Sequence, residues 1–332
     1  MPRTPLAAII AFCSALVACA QTDTTVEKTA NPMLCDTITG ACTVPGHAGD
    51  PHGHVFAEIA SASKPITLLY FTDPICSSCW GAEPQLRRLK LEYGDAIDIQ
   101  YHMGGLLPSW EVYNSGGISK PSDVAGHWDE VSPHYRMPII GDVWLEDPLP
   151  SSYPPSVAFK AAELQDHAKA LVFLRRMREQ VLLEKKNITK WPVIAEAAVF
   201  AQLDTARLHA DFTGAANALF QADLTLARSL GVRGFPTFIF SNAEGERQQV
   251  YGARPYGQFE AAVKAMKPDV KGRPVPTTLT DLFAIHASWC AEEVAVALNI
   301  THEQAVQQLK QLQAKGELTS VDTRNGSVWR KR

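Results

Sequence analysis

The sequence predicts an α/β fold followed by a small separate domain, and three observations support this prediction. Two short runs with strand character, ITLLYF (66–71) and IDIQYHM (97–103), flank a segment with helical periodicity. Successive helical patterns then fill residues 156–230. Two further β-rich runs and a closing helix complete the order β-α-β, helices, β-β-α, before a linker rich in Pro, Gly and Lys at 267–276.

Each element of the first half has its own local signal. The run ITLLYF is apolar, favours β structure and is bounded by prolines, so a buried strand is predicted. Residues 77–93 predict a helix, with Gly94 as its stop signal. Residues 105–155 are rich in Gly, Pro, Ser and Trp, which predicts a long loop wrapped on the surface.

The second half begins with helical patterns and ends with a hairpin and a helix. After the helices of 156–230, GVRGFPTFIF (231–240) predicts a turn followed by a strand. NAEGE predicts a hairpin turn, RQQVYG a return strand and GQFEAAVKAM a closing helix. The core of the predicted sheet is therefore assembled from both ends of residues 64–267.

The N-terminus has the features of an export signal. Arg3 provides an early positive charge, and the apolar run 6–18 is too short to span a bilayer as a stable helix. The run ends in Leu-Val-Ala-Cys, which resembles a bacterial lipobox, at which a signal peptide is removed before a lipidated cysteine. This resemblance implies a signal peptide at 1–18, lipid attachment at Cys19 and an exported, envelope or periplasmic protein anchored to a bacterial membrane.

An ordinary signal peptide cut at a small residue is the alternative, and it would also deliver the chain to a compartment where disulfides persist. The whole chain has 332 residues and a formal net charge of −4. That charge balance indicates no polyanionic partner such as nucleic acid.

Residues 19–63 are predicted to form a polar tether with one small ordered loop between Cys35 and Cys42. In an oxidising compartment, a structural disulfide is the expected state of these two cysteines. Two alternatives stay open. The cysteines would form a second redox pair that passes electrons to a neighbouring pair, or a soft-metal site with the nearby His47, His52 and His54.

The stretch DPICSSCW contains two cysteines, Cys76 and Cys79, between the first strand and the first helix. A structural zinc site normally needs four ligands, and the sequence contains no second CxxC. A disulfide across two residues constrains little of the unfolded chain. A redox pair fits better, because N–H groups at a helix start lower the pKa of Cys76 and Cys79 lies one turn further on to resolve a mixed disulfide.

Two prolines sharpen this interpretation. Pro84 lies inside the predicted helix, where a proline costs about 3 kcal/mol unless a kink is wanted. Phe235-Pro236 stands directly before a β run, where a cis proline would face the cysteine pair. Together with the CxxC at a strand-to-helix junction, these features resemble the thioredoxin superfamily and, within it, the DsbA-like family of the DsbA, FrnE and SpxH types.

The resemblance implies a fold class and a division of the chain. The fold would be α/β, thioredoxin-like, with an inserted helical domain and a small C-terminal winged helix-turn-helix-like domain. The thioredoxin core would comprise residues 64–104 and 231–267, and the mostly helical insertion residues 105–230.

The resemblance also implies thiol–disulfide exchange with protein substrates, without a cofactor or a metal and with a redox partner protein. Cys76 would attack and Cys79 would resolve. The direction of exchange (oxidase, reductase or isomerase) stays open, and the alternative function is a non-enzymatic, membrane-tethered adaptor on the same scaffold.

The expected roles around the pair follow. Phe235, Pro236 and Trp80 would bind substrate, the backbone of Phe235 pairing with the substrate chain. Trp80 would offer an exposed contact surface or, alternatively, pack on the insertion. Ser77 and Ser78 would tune the redox properties by donating hydrogen bonds to the Cys76 thiolate.

Residues 277–332 resemble a winged helix-turn-helix domain, with a capping box at Thr301–Gln304 and an Asn325-Gly326 hairpin turn. This tail contains six Lys or Arg and six Asp or Glu, so it lacks the basic surface that phosphate contacts require. An exported chain would also meet no DNA. We therefore expect a module for protein binding or homodimerisation, with Cys290 as a buried inert thiol. DNA binding is the alternative only if the N-terminus is not an export signal.

Overall fold

The computed structural model describes residues 35–36, 40–43, 64–113 and 118–332. The predicted signal peptide, Cys19 and the three histidines of the tether lie outside the described residues. Within the described ranges, the helices are all too short or too polar to cross a bilayer.

The described strands are, in chain order, β1 (Cys35–Asp36), β2 (Ala41–Thr43), β3 (Ile66–Thr72), β4 (Ile97–Met103), β5 (Gly234–Phe235), β6 (Thr237–Asn242), β7 (Arg247–Tyr251), β8 (Ser288–Cys290), β9 (Leu318–Thr323) and β10 (Gly326–Lys331). The described helices are α1 (Ser77–Gly81), α2 (Glu83–Tyr93), α3 (Pro121–Tyr135), α4 (Val143–Glu146), α5 (Tyr153–Glu163), α6 (His167–Leu183), α7 (Trp191–Phe200), α8 (Thr205–Thr213), α9 (Ala216–Ser229), α10 (Tyr256–Met266), α11 (Leu279–Ile285), α12 (Ala291–Leu298) and α13 (His302–Ala314).

The central sheet has the order β4-β3-β6-β7, with β3 parallel to β4 and antiparallel to β6. All seven residues of β3 are buried, as its unbroken apolar run predicts for an inner strand. Helix α10 packs on β6, β7 and α2, and α9 packs on β4. The cysteine pair follows the C-terminal end of β3, at the point where the chain leaves the sheet and enters α1.

The predicted strands at 66–71 and 97–103 are present as β3 and β4, but the predicted helix 77–93 is two helices. The helix is interrupted at Ala82, which ends α1 and precedes α2, and Pro84 lies in the first turn of α2. A first-turn proline loses no helical hydrogen bond, because its N–H would have no partner there. The prediction of a kinked continuous helix is wrong for this reason.

The prediction of a long surface loop over 105–155 is also wrong. This stretch contains α3 and α4, and Val124, Trp128 and Val131 of α3 are buried in the main core. These three residues recur at helical spacing, which the high Gly, Pro and Ser content of the stretch concealed. The four helices predicted over 156–230 are present as α5, α6, α7 and α9, and the structure adds α8 between the last two.

The tail contains the predicted helices and hairpin, with the additional short strand β8 completing a three-stranded sheet of order β8-β10-β9. Its apolar core includes Leu282, Trp289, Val294 and Leu309. Helix α12 packs against α2, so the tail lies on the central domain. The face of α12 that meets α2 is thus covered within the chain.

Candidate redox site

The turn between β3 and α1 positions Cys76 as the first residue outside the helix. The backbone N–H of Cys76 donates to the carbonyl of Asp73, 3.2 Å away, which closes the turn. The N–H of Cys79 donates to the Cys76 sulfur at 3.1 Å, so Cys76 caps α1 through its side chain. Both cysteines are reduced and buried, and they lie one helical turn apart.

A second segment, far away in sequence, contacts this pair. The thiol of Cys76 donates to the carbonyl oxygen of Phe235 at 3.7 Å. The peptide bond between Phe235 and Pro236 is cis, as predicted from the Phe-Pro before a strand. The ring of Phe235 packs so closely on Gly104 that an added Cβ at Gly104 would lie 1.8 Å from it. The structure therefore brings together Cys76, Cys79 and the Phe235-Pro236 segment.

The N-terminal segment covers this arrangement. Strand β2 pairs antiparallel with β5, with Cys42 opposite Phe235. The sulfur of Cys42 lies 3.4 Å from the Ser78 hydroxyl oxygen and 4.0 Å from that of Ser77. The edge of β5 that the resemblance assigns to a substrate chain is thus occupied by β2 of the same chain.

Burial dominates the electrostatics of Cys76. Desolvation raises the pKa of the Cys76 thiol well above its usual value, and the neighbouring Cys79 raises it further. The hydrogen bond from the Cys79 N–H acts in the opposite direction but is outweighed. The expectation of a lowered Cys76 pKa is wrong for this covered arrangement, because the helix start is shielded from water.

Asp73 is a site residue that the sequence reasoning missed. Its carboxylate accepts hydrogen bonds from the N–H groups of Ile75 and Leu106 and from the hydroxyl of Ser152. Burial nevertheless raises the pKa of Asp73 to about 6. The Asp73-Pro74 dipeptide, separated from Cys76 by Ile75 alone, was the available signal, because aspartate commonly accepts from backbone N–H groups in such turns.

Trp80 does not provide an exposed surface. Its side chain is fully buried, its indole N–H donates to the carbonyl of Pro138 at 3.0 Å, and the Arg175 guanidinium lies 4.2 Å from its ring centre. The expectation of an exposed substrate contact at Trp80 is therefore wrong, and the alternative of packing on the insertion describes the structure.

The two serines between the cysteines were expected to donate hydrogen bonds to Cys76, but their hydroxyl groups contact other residues. The Ser78 hydroxyl lies 2.7 Å from the Tyr135 hydroxyl, in addition to its contact with Cys42. No sequence signal connected Tyr135 with the pair, because 57 residues separate it from Ser78. The redox-tuning role of the serines stays a prediction.

The remaining candidates lie elsewhere. Cys290 is buried and reduced, and burial raises the pKa of its thiol, as expected of an inert structural cysteine. Cys42 is disulfide-bonded. Among the described residues, there is no group of three or more His, Cys, Asp or Glu side chains arranged to hold a metal ion.

Comparison with known proteins identifies the family. The family model described as Thioredoxin matches residues 69–261. The chain is also 33% identical over 306 residues to the ClpXP adapter protein SpxH of Halalkalibacterium halodurans, an alignment that covers 90% of this chain and 97% of that protein. The chain belongs to the SpxH family of thioredoxin-fold proteins. SpxH of Bacillus subtilis is 29% identical over 285 residues and covers 84% of this chain and 91% of its own length.

Solved structures confirm the fold class. A provisionally assigned protein disulfide isomerase from Nitrosomonas europaea superposes with a TM-score of 0.51 at 20% identity, covering 61% of this chain and 96% of that one. The predicted thioredoxin-like α/β core with inserted helices is therefore confirmed. The alignment with SpxH covers 90% of this chain, so the similarity to SpxH extends beyond residues 69–261, which the thioredoxin family model matches.

Proposed function

We propose that this SpxH-family chain is a thiol–disulfide oxidoreductase that exchanges disulfides with protein substrates through Cys76 and Cys79. One observation carries the proposal: two reduced cysteines lie one turn apart at a helix start, and the Cys79 N–H donates to the Cys76 sulfur. Two thiols one helical turn apart can be oxidised to a disulfide and reduced again with little backbone movement.

The roles of the two cysteines follow from their positions. Cys76 lies outside the helix and faces the carbonyl of Phe235, so it would attack the substrate disulfide. Cys79 lies inside α1 and would resolve the mixed disulfide by attacking the Cys76 sulfur. Because β2 occupies the edge of β5 beside Cys76, we expect attack on an external protein disulfide to require displacement of this segment.

The same proposal places the protein outside the cytosol. The Leu-Val-Ala-Cys sequence supports removal of residues 1–18 and lipidation of Cys19, which would tether the domain to a bacterial membrane. An oxidising compartment would also maintain a disulfide at Cys42. Mass spectrometry of the purified N-terminal peptide checks this: a lipidated Cys19 is expected, and an unprocessed Met1 would contradict it.

The second candidate function is a protein-binding adaptor without redox turnover. It is favoured by the SpxH relatives, which are named ClpXP adapter proteins and are similar over 84–90% of this chain. An adaptor uses the scaffold as a binding surface and needs no exchangeable thiol pair.

The redox equilibrium of Cys76 and Cys79 with glutathione separates the two functions. The measurement is made in a Cys35→Ser, Cys42→Ser background, which leaves this pair to be titrated, with Cys76→Ser and Cys79→Ser as controls. A defined potential is expected, near about −120 mV for an oxidant or about −270 mV for a reductant. A pair that never exchanges with glutathione would remove the oxidoreductase proposal and leave the adaptor.

A further inference from the structure

Strand β2 is anchored beside the cysteine pair at two places. Cys42 and Thr43 pair with Phe235 and Gly234 of β5. Immediately before β2, the N–H of Ala253 donates to the carbonyl of Gly40 at 2.6 Å. The segment therefore follows a defined path across the site.

Gly40 permits this path. Its φ of +62° lies in the left-handed region that side chains disfavour, and an added Cβ would lie 2.8 Å from the Ala253 carbonyl oxygen. A glycine is needed here on both grounds, so a substitution at this position displaces the segment without altering a sulfur atom.

Two independent contacts place the Cys42 sulfur next to the reactive pair. It lies 3.4 Å from the hydroxyl oxygen of Ser78, which stands between Cys76 and Cys79 in the chain. Its strand partner, Phe235, is the residue whose carbonyl accepts the Cys76 thiol. Cys42 is 1% exposed, so this sulfur faces the site and not the solvent.

The register of β1 and β2 indicates which cysteine is bonded to Cys42. Cys42 is disulfide-bonded, whereas Cys76, Cys79 and Cys290 are reduced. Cys35 lies opposite Cys42 in the antiparallel pair of β1 and β2. Facing residues of such a pair have Cα atoms about 4.5–5.5 Å apart, which is within the range that a disulfide bridges.

We propose that Cys42 is bonded to Cys35 and that this disulfide is an internal exchange partner of the Cys76/Cys79 pair, with β2 bound at the edge of β5 as a substrate peptide would be. This inference rests on the proposed oxidoreductase function, and it identifies a disulfide within the same chain as a substrate of the Cys76/Cys79 pair. An external protein chain must displace β2 before it can pair with the same edge.

The exchange balances without a further reactant. The Cys76 thiolate attacks the Cys42 sulfur, the Cys35–Cys42 bond breaks, and Cys35 leaves and takes the proton that Cys76 gave up. Cys79 then attacks the Cys76 sulfur and releases Cys42. The Cys76/Cys79 dithiol loses two electrons and two protons, and the Cys35–Cys42 disulfide gains them. The reverse sequence transfers the disulfide back.

The test traps the mixed disulfide in the Cys79→Ser variant, which removes the resolving thiol. The purified full chain is quenched with acid, alkylated and mapped by mass spectrometry without reduction. We expect a peptide in which Cys76 is joined to Cys42, with Cys35 alkylated. A Cys76→Ser, Cys79→Ser variant is the control and should retain only the Cys35–Cys42 disulfide.

A second measurement uses the unaltered cysteines. The fully reduced chain receives one equivalent of oxidised glutathione, and the position of the disulfide is followed over time. We expect the disulfide to redistribute between the two pairs at a rate independent of protein concentration. Gly40→Val should slow this step at least tenfold, whereas Gly245→Ala should not, because Gly245 also has a positive φ but an open surrounding.

The outcomes distinguish this inference from the function on which it rests. In one outcome, the Cys76/Cys79 pair equilibrates with glutathione in the Cys35→Ser, Cys42→Ser background, but the Cys79→Ser variant shows no linkage between Cys76 and Cys42. This outcome overturns the internal exchange and leaves the oxidoreductase proposal standing. Linkage to Cys35 in place of Cys42 also overturns the stated step. Failure of the pair to exchange with glutathione overturns both.

Discussion

The molecule contains two buried polar regions of opposite character. At the candidate redox site, sulfur and hydroxyl groups lie under a short strand that is attached by β pairing. Where the tail meets the central domain, an ion cluster consists of Arg87, Arg175, Glu179, Glu293 and Arg330. The cluster joins α2, α6, α12 and β10.

The ion cluster is densely connected. Glu293 is fully buried and accepts from Arg175 at 2.6 Å and from Arg87 at 3.1 Å, and it also caps α12 through the N–H of Cys290. Glu179 accepts from Arg175 at 2.8 Å and from Arg330 at 2.6 Å. Removing one charged side chain leaves its partners buried without a counter-charge, which is strongly destabilising. We therefore expect the cluster to keep a single arrangement. The strand that covers the candidate redox site is attached by backbone pairing of Cys42 and Thr43 with β5.

The largest expected effect is at the ion cluster. Glu293→Gln leaves the buried Arg87 without its ion-pair partner and leaves Arg175 paired with Glu179 alone, so we expect the unfolding free energy to fall by about 3–5 kcal/mol. Urea unfolding measures this. The matched control is Glu303→Gln, because the Glu303 side chain is 77% exposed where it meets Arg136 and its replacement should change the unfolding free energy very little. Equal effects of the two variants would contradict the distinction.

A smaller effect is expected where the Phe235 segment meets the central domain. In Gly104→Ala the added methyl group overlaps the ring of Phe235 and must shift the segment that contacts Cys76. We expect a loss of about 1–3 kcal/mol in unfolding free energy and slower reaction of the pair with glutathione.

Gly126→Ala is the control for this variant. Gly126 lies in α3 with no atom within 4 Å of its added Cβ, and alanine should stabilise the helix by about 0.5–1 kcal/mol. Unchanged stability and exchange rate in Gly104→Ala would show that the Phe235 contact does not position the site.

The third prediction concerns pH. Because burial raises the pKa of Asp73 to about 6, the folded chain retains a proton there that the unfolded chain has lost. This group therefore makes the unfolding free energy fall, by at most about 1.4 kcal/mol per pH unit, as the pH rises from about 4 to 6. Asp73→Asn should remove this component, as measured by urea unfolding across that range.

Asp142→Asn provides a control of opposite sign. Hydrogen bonds from Arg324 and Lys185 lower the pKa of Asp142 to about 2, so its stabilisation is present above about pH 4 and is lost as the pH falls towards 2. Its removal should alter the profile below pH 4 and leave the range from 4 to 6 unchanged. An identical profile in wild type and Asp73→Asn would refute the assignment to Asp73.

The smallest effect is expected at Ser78. Ser78→Ala removes the hydroxyl that contacts Tyr135, so we expect a loss of about 0.5–1.5 kcal/mol in unfolding free energy. Tyr135→Phe removes the other half of this contact and is the matched variant. The pH dependence of Cys76 alkylation tests redox tuning: since the hydroxyl contacts Tyr135, little change is expected, and a shift of one pH unit would restore a direct role.

Much of the central domain was predictable because its signals are local. The apolar run of β3, the CxxC after it and the Phe-Pro before β6 each depend on neighbouring residues alone. Their combination sufficed to predict the fold class and the pair Cys76 and Cys79. The helices of 105–155 were missed because glycine and proline content indicates turns, whereas burial of an apolar helix face depends on what packs against it.

By itself, the sequence determined the thioredoxin-like architecture and singled out Cys76 and Cys79 as the candidate redox pair, since strand and helix periodicity and residue chemistry are properties of short segments. Only the tertiary structure decided the environment of that pair. The placement of Cys42 beside Ser78, of Tyr135 on the same hydroxyl and of Trp80 in the interior joins segments that are far apart in the chain. Burial and pKa depend on these contacts because desolvation is produced by everything that surrounds a group, whatever its position in the sequence.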